Sequence, residues 1–169
     1  ILLNQGANAI AGTVSLDSTG AGTNIFQNGA PLALGTVAIT GNLDVTANTG
    51  AITQTTAMTV GGDANFTAGA FAITLNDPGN AVGGTVFLAN TGGSTVSWSE
   101  AGAVSLGAST VGAFTLQAGG TVTQSGALSV TGNALVSTTV GDIVLGNAGN
   151  AVSGDVSLTG SAAGDVVWT

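Results

Sequence analysis

The chain has 169 residues, 29 of them glycine, and contains no Lys, Arg, His, Cys or Tyr. Its formal net charge of −8 comes from eight carboxylates with no cation in the sequence, which argues against a nucleic-acid partner or an anionic membrane surface. The hydrophobic fraction of 44% is too high for a disordered tail, polar residues and glycine break every apolar run before it reaches the length of a membrane helix, and the lack of Cys excludes disulfides.

A long internal repeat is the strongest signal in the sequence. Residues 1–26 (ILLNQGANAIAGTVSLDSTGAGTNIF) align without a gap with 73–98 (ITLNDPGNAVGGTVFLANTGGSTVSW) and 143–168 (IVLGNAGNAVSGDVSLTGSAAGDVVW). Residues 50–69 match 119–138 in the same frame from the Thr-Gln pair (53–54 and 123–124) onward. The offsets are 72 and then 70 residues, which divides the chain into long repeats 1–72, 73–142 and a partial 143–169. Because Ile1 lies in mid-pattern, we expect a mature product or a segment of a longer array.

Short strand-like segments with alternating apolar residues recur inside the long repeat. Three segments form a unit of about 21–28 residues, with Gly or Asn between them and small additional excursions near 36–41 and 108–112. In chain order the predicted segments begin with Ile10, the third segment of a preceding unit, and then, grouped by unit, are 14–16, 24–26 and 32–34; 43–45, 52–54 and 58–60; 64–66, 73–75 and 82; 86–88, 96–98 and 104–106; 114–116, 122–124 and 128–130; 134–136, 143–145 and 152; 156–158 and 166–168.

This arrangement predicts an all-β, single-stranded, parallel and right-handed β-solenoid with three strands per coil and about seven coils, as one continuous unit over 1–169. One coil cannot bury its apolar face, whereas stacked coils pair their strands about 4.8 Å apart and enclose a continuous apolar column. Glycine and Asn suit the corners because they tolerate left-handed backbone. The second segment ends on Phe26, Gln54, Leu75, Trp98, Gln124, Leu145 and Trp168, which predicts a three-coil rhythm in the column.

Segments such as GNLDVTANTGAITQTTAMTVGGDANFTAG (41–69) and GALSVTGNALVSTTVGDIVLGNAGNAVSGDVSLTG (126–160) resemble the repeat regions of giant bacterial surface proteins. These are the filamentous-haemagglutinin-like and autotransporter-type adhesins with β-strand repeats. The resemblance covers essentially the whole chain. It implies a right-handed β-helix, export across an outer membrane to the cell surface, and a role as a stalk, adhesin or matrix fibre.

An enzyme is not expected, although several β-helices act on polysaccharides. Lyase chemistry on uronates usually needs a basic residue and cations, which this chain lacks. Hydrolysis needs two carboxylates about 5–10 Å apart. Asp63 and Asp155 occupy equivalent positions four coils apart, and Asp142 with Asp155 is the best remaining pair. We therefore interpret the carboxylates as corner and surface residues and expect no catalytic residue, cofactor or specific metal site.

Calcium is the one cation that acidic loops of an extracellular rod would attract. The nine-residue glycine-aspartate repeat of calcium-binding β-rolls is absent, and Asp77 aligns with Gln5 and Asn147, so a site there would not recur. The sequence predicts only weak, adventitious Ca²⁺ binding.

Candidate contacts to a glycan are Trp98, Trp168 and Asn65. Both Trp side chains could stack on sugars if they pointed outward, but their alternation with Val96 and Val166 predicts that they point inward. Asn65 begins an Asn-Phe-Thr glycosylation pattern and is expected to point outward. The related Asn8, Asn80 and Asn150 recur at one corner, where we expect each amide to cap backbone groups; a glycan-binding row is the alternative.

An ice-binding face is a further alternative, because flat threonine ladders on solenoids order water. The predicted outward row of Ile25, Thr53, Thr74, Ser97, Thr123, Val144 and Val167 holds three threonines in seven positions and is too irregular for it. The sequence favours a stiff, protease-resistant structural repeat module of a secreted bacterial adhesin, sheath or filament. Its expected partners are further coils of its own chain or another copy stacked head to tail. A module that binds cell-surface glycans or a receptor is the alternative. We expect no membrane insertion.

Overall fold

The computed structural model describes residues 1–169 as an all-β chain with no helix, and therefore with no helix able to cross a bilayer. Strands form where apolar and polar residues alternate, because one side of each strand then faces the core and the other faces water. The strands are β1 (Leu2–Leu3), β2 (Thr13–Ser18), β3 (Thr23–Asn28), β4 (Leu32–Ile39), β5 (Asn42–Ala47), β6 (Ile52–Gln54), β7 (Met58–Val60), β8 (Ala64–Thr67), β9 (Ile73–Leu75), β10 (Ala81–Val82), β11 (Thr85–Ala89), β12 (Val96–Glu100), β13 (Val104–Leu106), β14 (Ser109–Val111), β15 (Phe114–Ala118), β16 (Val122–Gln124), β17 (Leu128–Val130), β18 (Ala134–Thr138), β19 (Ile143–Leu145), β20 (Ala151–Val152), β21 (Val156–Thr159) and β22 (Val166–Trp168).

The strands form two facing sheets, and the chain passes alternately from one to the other. The 12-stranded sheet runs β1-β3-β5-β8-β11-β13-β16-β19-β22, with β14, β17 and β20 beside this path. The 10-stranded sheet runs β10-β7-β4-β6-β9-β12-β15-β18-β21, with β2 paired to β4. The strand pairs are parallel, as in β12 with β15. The predicted parallel β-solenoid is thus confirmed.

The coil is shorter than the sequence pattern suggested. Stacked partners lie 18 residues apart where Trp98 pairs with Leu116 and 23 apart where Leu75 pairs with Trp98, and the chain completes about eight coils. Middle coils carry three strands, for example β6, β7 and β8. The predicted excursions near 36–41 and 108–112 are instead strand positions within β4 and β14. These stretches alternate on their own, with Val37, Ile39 and Val111 buried, so they pair with neighbouring strands.

Equivalent strands of successive long repeats lie on opposite sheets. Phe26 belongs to β3 in the 12-stranded sheet, its equivalent Trp98 to β12 in the 10-stranded sheet, and Trp168 to β22 back in the first sheet. One repeat therefore advances the winding by an odd number of half-coils. The predicted three-coil rhythm in a single column is wrong, because Gln54 and its equivalent Gln124 also lie in different sheets.

One apolar column fills the space between the sheets. Thirty-five buried hydrophobic residues form a single cluster, from Leu16 near one end to Leu145 near the other. Near its middle the rings of Phe66 and Trp98 lie 5.7 Å apart between centroids, at a tilt of 43°. Towards the ends the equivalent inward side chains lose their cover, and Leu3 and Val166, register partners of Phe26 and Ile143, are exposed. The core is therefore best protected in the central coils.

Close stacking explains the glycines at the corners better than left-handed backbone does. A Cβ on Gly119 would overlap the carbonyl oxygen of Ala101 in the coil below, so a larger residue would push the coils apart. Positive φ occurs only at Gly69, Gly93 and Gly141 and at no other residue type. The corner asparagines thus act through their side-chain amides and not through left-handed conformations.

Candidate functional site

Trp98 lies inside the column and has no exposed surface. Its indole Nε1 donates a hydrogen bond to Oε2 of Glu100 at 3.1 Å, and its ring packs against Phe66. A glycan could not reach this ring without unfolding the coil, which removes Trp98 from the candidate glycan contacts.

Trp168 and Asn65 keep part of their surface. Trp168 lies in β22, pairs with Leu145 and packs half-buried against the end of the core. Asn65 is half-buried on β8, where it points away from the column between Asp44 of β5 and Phe87 of β11. The structure thus separates the three predicted glycan contacts into a core, an end and a surface position.

A shallow groove of about 360 Å³ surrounds Asn65 on the outer face of the 12-stranded sheet. We call it the Asn65 groove. The groove forms because the strand register places Asp44, Asn65 and Phe87 side by side on three neighbouring coils. The Phe87 ring extends over Gly107 of the next coil, where a Cβ would overlap the ring. The residues that line the Asn65 groove are Thr23, Asn42, Leu43, Asp44, Asp63, Asn65, Phe87 and Ala108.

Some polar atoms of the Asn65 groove are engaged by the backbone and others remain free. Oδ1 of Asn42 accepts the Asp63 N–H at 2.9 Å, and Oδ1 of Asp63 accepts the Thr85 N–H at 2.8 Å. These bonds join three successive coils at one corner. The carboxylate of Asp44 and the amide of Asn65 form no hydrogen bond within the chain. The groove therefore combines unused hydrogen-bonding groups with an aromatic ring, which suits a hydroxyl-rich ligand.

The acidic pairs considered for catalysis do not come together. Asp63 precedes β8 in the 12-stranded sheet, whereas Asp155 precedes β21 in the other sheet. Asp142 precedes β19, again across the solenoid from Asp155, and its Oδ1 accepts the Asp165 N–H at 2.8 Å. Asp155 in turn donates its N–H to Oδ1 of Asn133 at 3.0 Å. These residues join coils at the corners, and no three acidic side chains cluster.

The corner asparagines cap backbone groups, as their recurrence indicated. Asn80 is fully buried; its Oδ1 accepts the Met58 N–H, and its Nδ2 donates to the carbonyls of Leu75 and Ser99. Its amide also exchanges two hydrogen bonds with Gln54, at 2.8 and 3.0 Å. Asn150 repeats this pattern with Gln124. Asn8 is half-buried and donates to the Gln27 carbonyl.

Glu100 is a buried acid that the sequence patterns did not single out. It is 5% exposed, and its Oε1 accepts the Val82 N–H at 2.7 Å. Burial raises the pKa of its carboxyl group, and the hydrogen bonds from Val82 and Trp98 oppose that rise. Alignment of the long repeats could have identified this position, because Glu100, the only Glu in the chain, is aligned with Asn28 of the first repeat.

Hydroxyl-bearing residues line the outer face of the 10-stranded sheet in a different row from the predicted one. Ile25 lies on the other sheet, and the register instead stacks Thr and Ser side chains with two interruptions that lack a hydroxyl, Ala33 and Leu135. The row consists of Thr13, Ala33, Thr53, Thr74, Ser97, Thr115, Leu135 and Ser157.

Comparison with known proteins identifies the repeat. Residues 20–89 and 93–159 each match the family model described as "Repeats of unknown function (DUF5649)". The two matches begin just before β3 and β12, which are equivalent strands of successive long repeats. No curated protein and no solved structure matches the chain.

Proposed function

This chain belongs to the family of repeats of unknown function (DUF5649), and we propose that it is a structural module: a stiff rod within a secreted bacterial adhesin, sheath or extracellular filament. The observation that carries the proposal is that each sheet contains a continuous path of paired strands around one apolar column, from β1 to β22 in one sheet and from β2 to β21 in the other. The carboxylates paired for catalysis in the sequence, Asp63 and Asp155, lie at corners of opposite sheets of that stack.

The direction of the hydrogen bonds supports a mechanical role. The backbone forms 92 hydrogen bonds, and those of the ladders run between successive coils, along the axis of the rod. Buried amides such as Asn80 add side-chain bonds in the same direction. Pulling or bending the rod would have to break many of these bonds together, so the arrangement favours stiffness.

The surface supports a durable, exposed material. The absence of Lys and Arg leaves trypsin without a cleavage site. Like charge on all eight carboxylates keeps separate rods apart laterally. The resemblance to bacterial surface adhesins adds the location, at the cell surface or outside the cell. No step of this role needs a cofactor, a metal or chemistry.

The end coils support axial stacking on further coils of the same kind. One edge of β1 and one edge of β22 have no strand partner, and unpaired parallel edges are templates for another strand. Leu3 is 48% exposed although its register partner Phe26 belongs to the core. A coil added there would cover Leu3 and extend the apolar column, whether that coil comes from the same chain or from a second copy.

We expect the 169-residue chain to form filaments at high concentration, with an axial layer spacing of about 4.8 Å by electron microscopy and fibre diffraction. Leu3→Lys should abolish assembly and leave the fold intact, because a charge would have to be buried at the joint. Leu135→Lys is the matched control, since Leu135 is 43% exposed on the outer face of β18, which has a strand partner on both sides. It should assemble like the parent chain. Lone particles at all concentrations, or equal assembly by both variants, would contradict end-to-end stacking.

Glycan binding is a second candidate function, favoured by the Asn65 groove. The groove places the free groups of Asp44 and Asn65 beside the Phe87 ring, a combination that suits the hydroxyls and the apolar face of a neutral sugar. In this function the rod would be the binding module of an adhesin, with cell-surface glycans as partners. The contacts proposed are thus Asn65, Asp44 and Phe87 in place of Trp98.

A glycan array should then yield saturable binding that weakens about tenfold in Asn65→Ala, the loss expected for about 1.4 kcal/mol of hydrogen bonding. Leu135→Ala is the control, because Leu135 is the equivalent residue of the next repeat and lies on the opposite sheet. Its binding should match the parent chain. An array without hits, or equal losses in both variants, would remove this candidate and leave the structural role untouched.

A further inference from the structure

The Glu100 carboxylate closes a gap in the strand stack. β10 pairs with β7 on one side, and β12 continues past the point where a strand would cover the other side of β10. The Val82 N–H on that open side donates instead to Oε1 of Glu100 at 2.7 Å, while Oε2 accepts the Trp98 indole at 3.1 Å. The carboxylate therefore joins two successive coils at a buried position.

The first repeat uses an amide for the same task. Oδ1 of Asn28 accepts the N–H of Ile10, the residue equivalent to Val82. Nδ2 of Asn28 also donates to the carbonyls of Ile10, Ala30 and Pro31. An amide both accepts and donates hydrogen bonds, whereas an ionised carboxylate only accepts them. An ionised Glu100 therefore buries a negative charge, which no cation in the chain compensates, at a position where the first repeat has a neutral side chain.

We propose that Glu100 makes the middle of the rod sensitive to acidity: one proton taken from solvent by a carboxylate oxygen removes this buried charge, makes the side chain neutral as that of Asn28 is, and stabilises the joint between the coils of β10 and β12. The proton adds to oxygen, and no other covalent bond changes. This inference does not depend on the proposed function, since it concerns the stability of the solenoid whatever the rod carries.

No other titratable group competes at this position. Two surface grooves meet at Glu100, and their remaining lining consists of uncharged residues and backbone. On β12 the carboxylate faces Trp98 and on β10 it faces Val82, neither of which titrates. From β15 the groove contributes Gln117 and Ala118 and from β18 Ser137 and Thr138; β7 contributes Thr59 and Val60. The acidity response therefore resides in one side chain.

The direction of the effect follows from burial. Because burial raises the pKa of Glu100 above its ordinary value of 4.5, the folded chain holds this proton more tightly than the unfolded chain does. The resulting stability is fully present below pH 4.5 and is lost as the pH rises through the raised value of the folded state. A single such group changes the folding equilibrium constant by at most about tenfold per pH unit.

The test compares chemical denaturation of the parent chain, Glu100→Gln and Asp17→Asn between pH 7.5 and pH 4.5, the ordinary value of a Glu carboxyl group. Asp17 is exposed and its carboxylate accepts no hydrogen bond, so its replacement removes the same charge without touching the joint. We expect the parent chain and Asp17→Asn to gain stability as the pH falls, and Glu100→Gln to show a flat response. In parallel, the carboxyl carbon of Glu100 should titrate by NMR above 4.5 together with the Val82 amide proton.

Two results would overturn the proposal. One is a Glu100→Gln chain that gains as much stability on acidification as the parent chain. The other is a Glu100 carboxyl carbon that titrates at or below 4.5, and this measurement on the parent chain holds even if the variant folds poorly.

Discussion

Replacing Trp98 with alanine is expected to lower the free energy of unfolding by about 3–5 kcal/mol, the range for deleting a large buried aromatic side chain. Trp98 is among the largest fully buried side chains, and its removal would leave a cavity beside Phe66 in the middle of the column. The same change takes away the indole N–H from Glu100 and leaves that buried carboxylate with the Val82 N–H alone. The cavity and the lost hydrogen bond act in the same direction.

Hydrogen exchange measured at increasing denaturant concentration would report this loss for each coil, since solenoid coils can open locally. Trp98→Phe should cost less, because it keeps a ring in the column and loses only the indole edge. Phe71→Ala is the control for deleting an aromatic side chain: Phe71 is 41% exposed, so we expect a change within about 0.5 kcal/mol. Equal effects of Trp98→Ala and Phe71→Ala would contradict the arrangement of the column.

Replacing Asn80 with alanine is expected to destabilise the chain by about 3 kcal/mol or more, since each buried group left without a partner costs about 1–3 kcal/mol. Asn80 serves the Met58 N–H and the carbonyls of Leu75 and Ser99, and pairs with the Gln54 amide. Three successive coils meet in these bonds. The Met58 amide proton should also lose its protection against hydrogen exchange.

Asn150→Ala is the matched control for this change. Asn150 makes the equivalent bonds to Leu128, Leu145 and Gln124, but it is only half-buried and lies near the last coil. Water can replace the lost amide there, so we expect a smaller effect, about 1 kcal/mol. A larger loss at Asn150 than at Asn80 would be inconsistent with burial as the source of the energy.

The solenoid could be predicted because its cause is local. Alternating segments such as 43–45 and 64–66 must bury one face, and a chain made of short segments with glycine between them can do so only by stacking them. The coil length could not be predicted in the same way. Both sheets need the same inward and outward alternation, so a strand such as 37–39 fits either sheet, and only the register decides.

The candidate site was predictable in part. Asn65 was expected to point outward because Phe66 points inward, and the structure places it so. Phe87 was missed because alternation identifies its inward neighbours Val86 and Leu88 and gives no sign of what an outward residue contacts. Asp44 was missed because its partner strand depended on the coil length. Glu100 was missed for another reason: acidic side chains are rarely buried, and only comparison with Asn28 reveals a position that requires an acceptor inside the stack.

The odd number of half-coils in each repeat also bears on how such arrays change in length. Loss or gain of a single repeat by recombination would move every surface beyond it to the opposite side of the rod. Loss or gain of two repeats would leave those surfaces on their original side. Two repeats, about seven coils, are thus the unit that can be inserted or deleted without turning a distal tip away from whatever it faces.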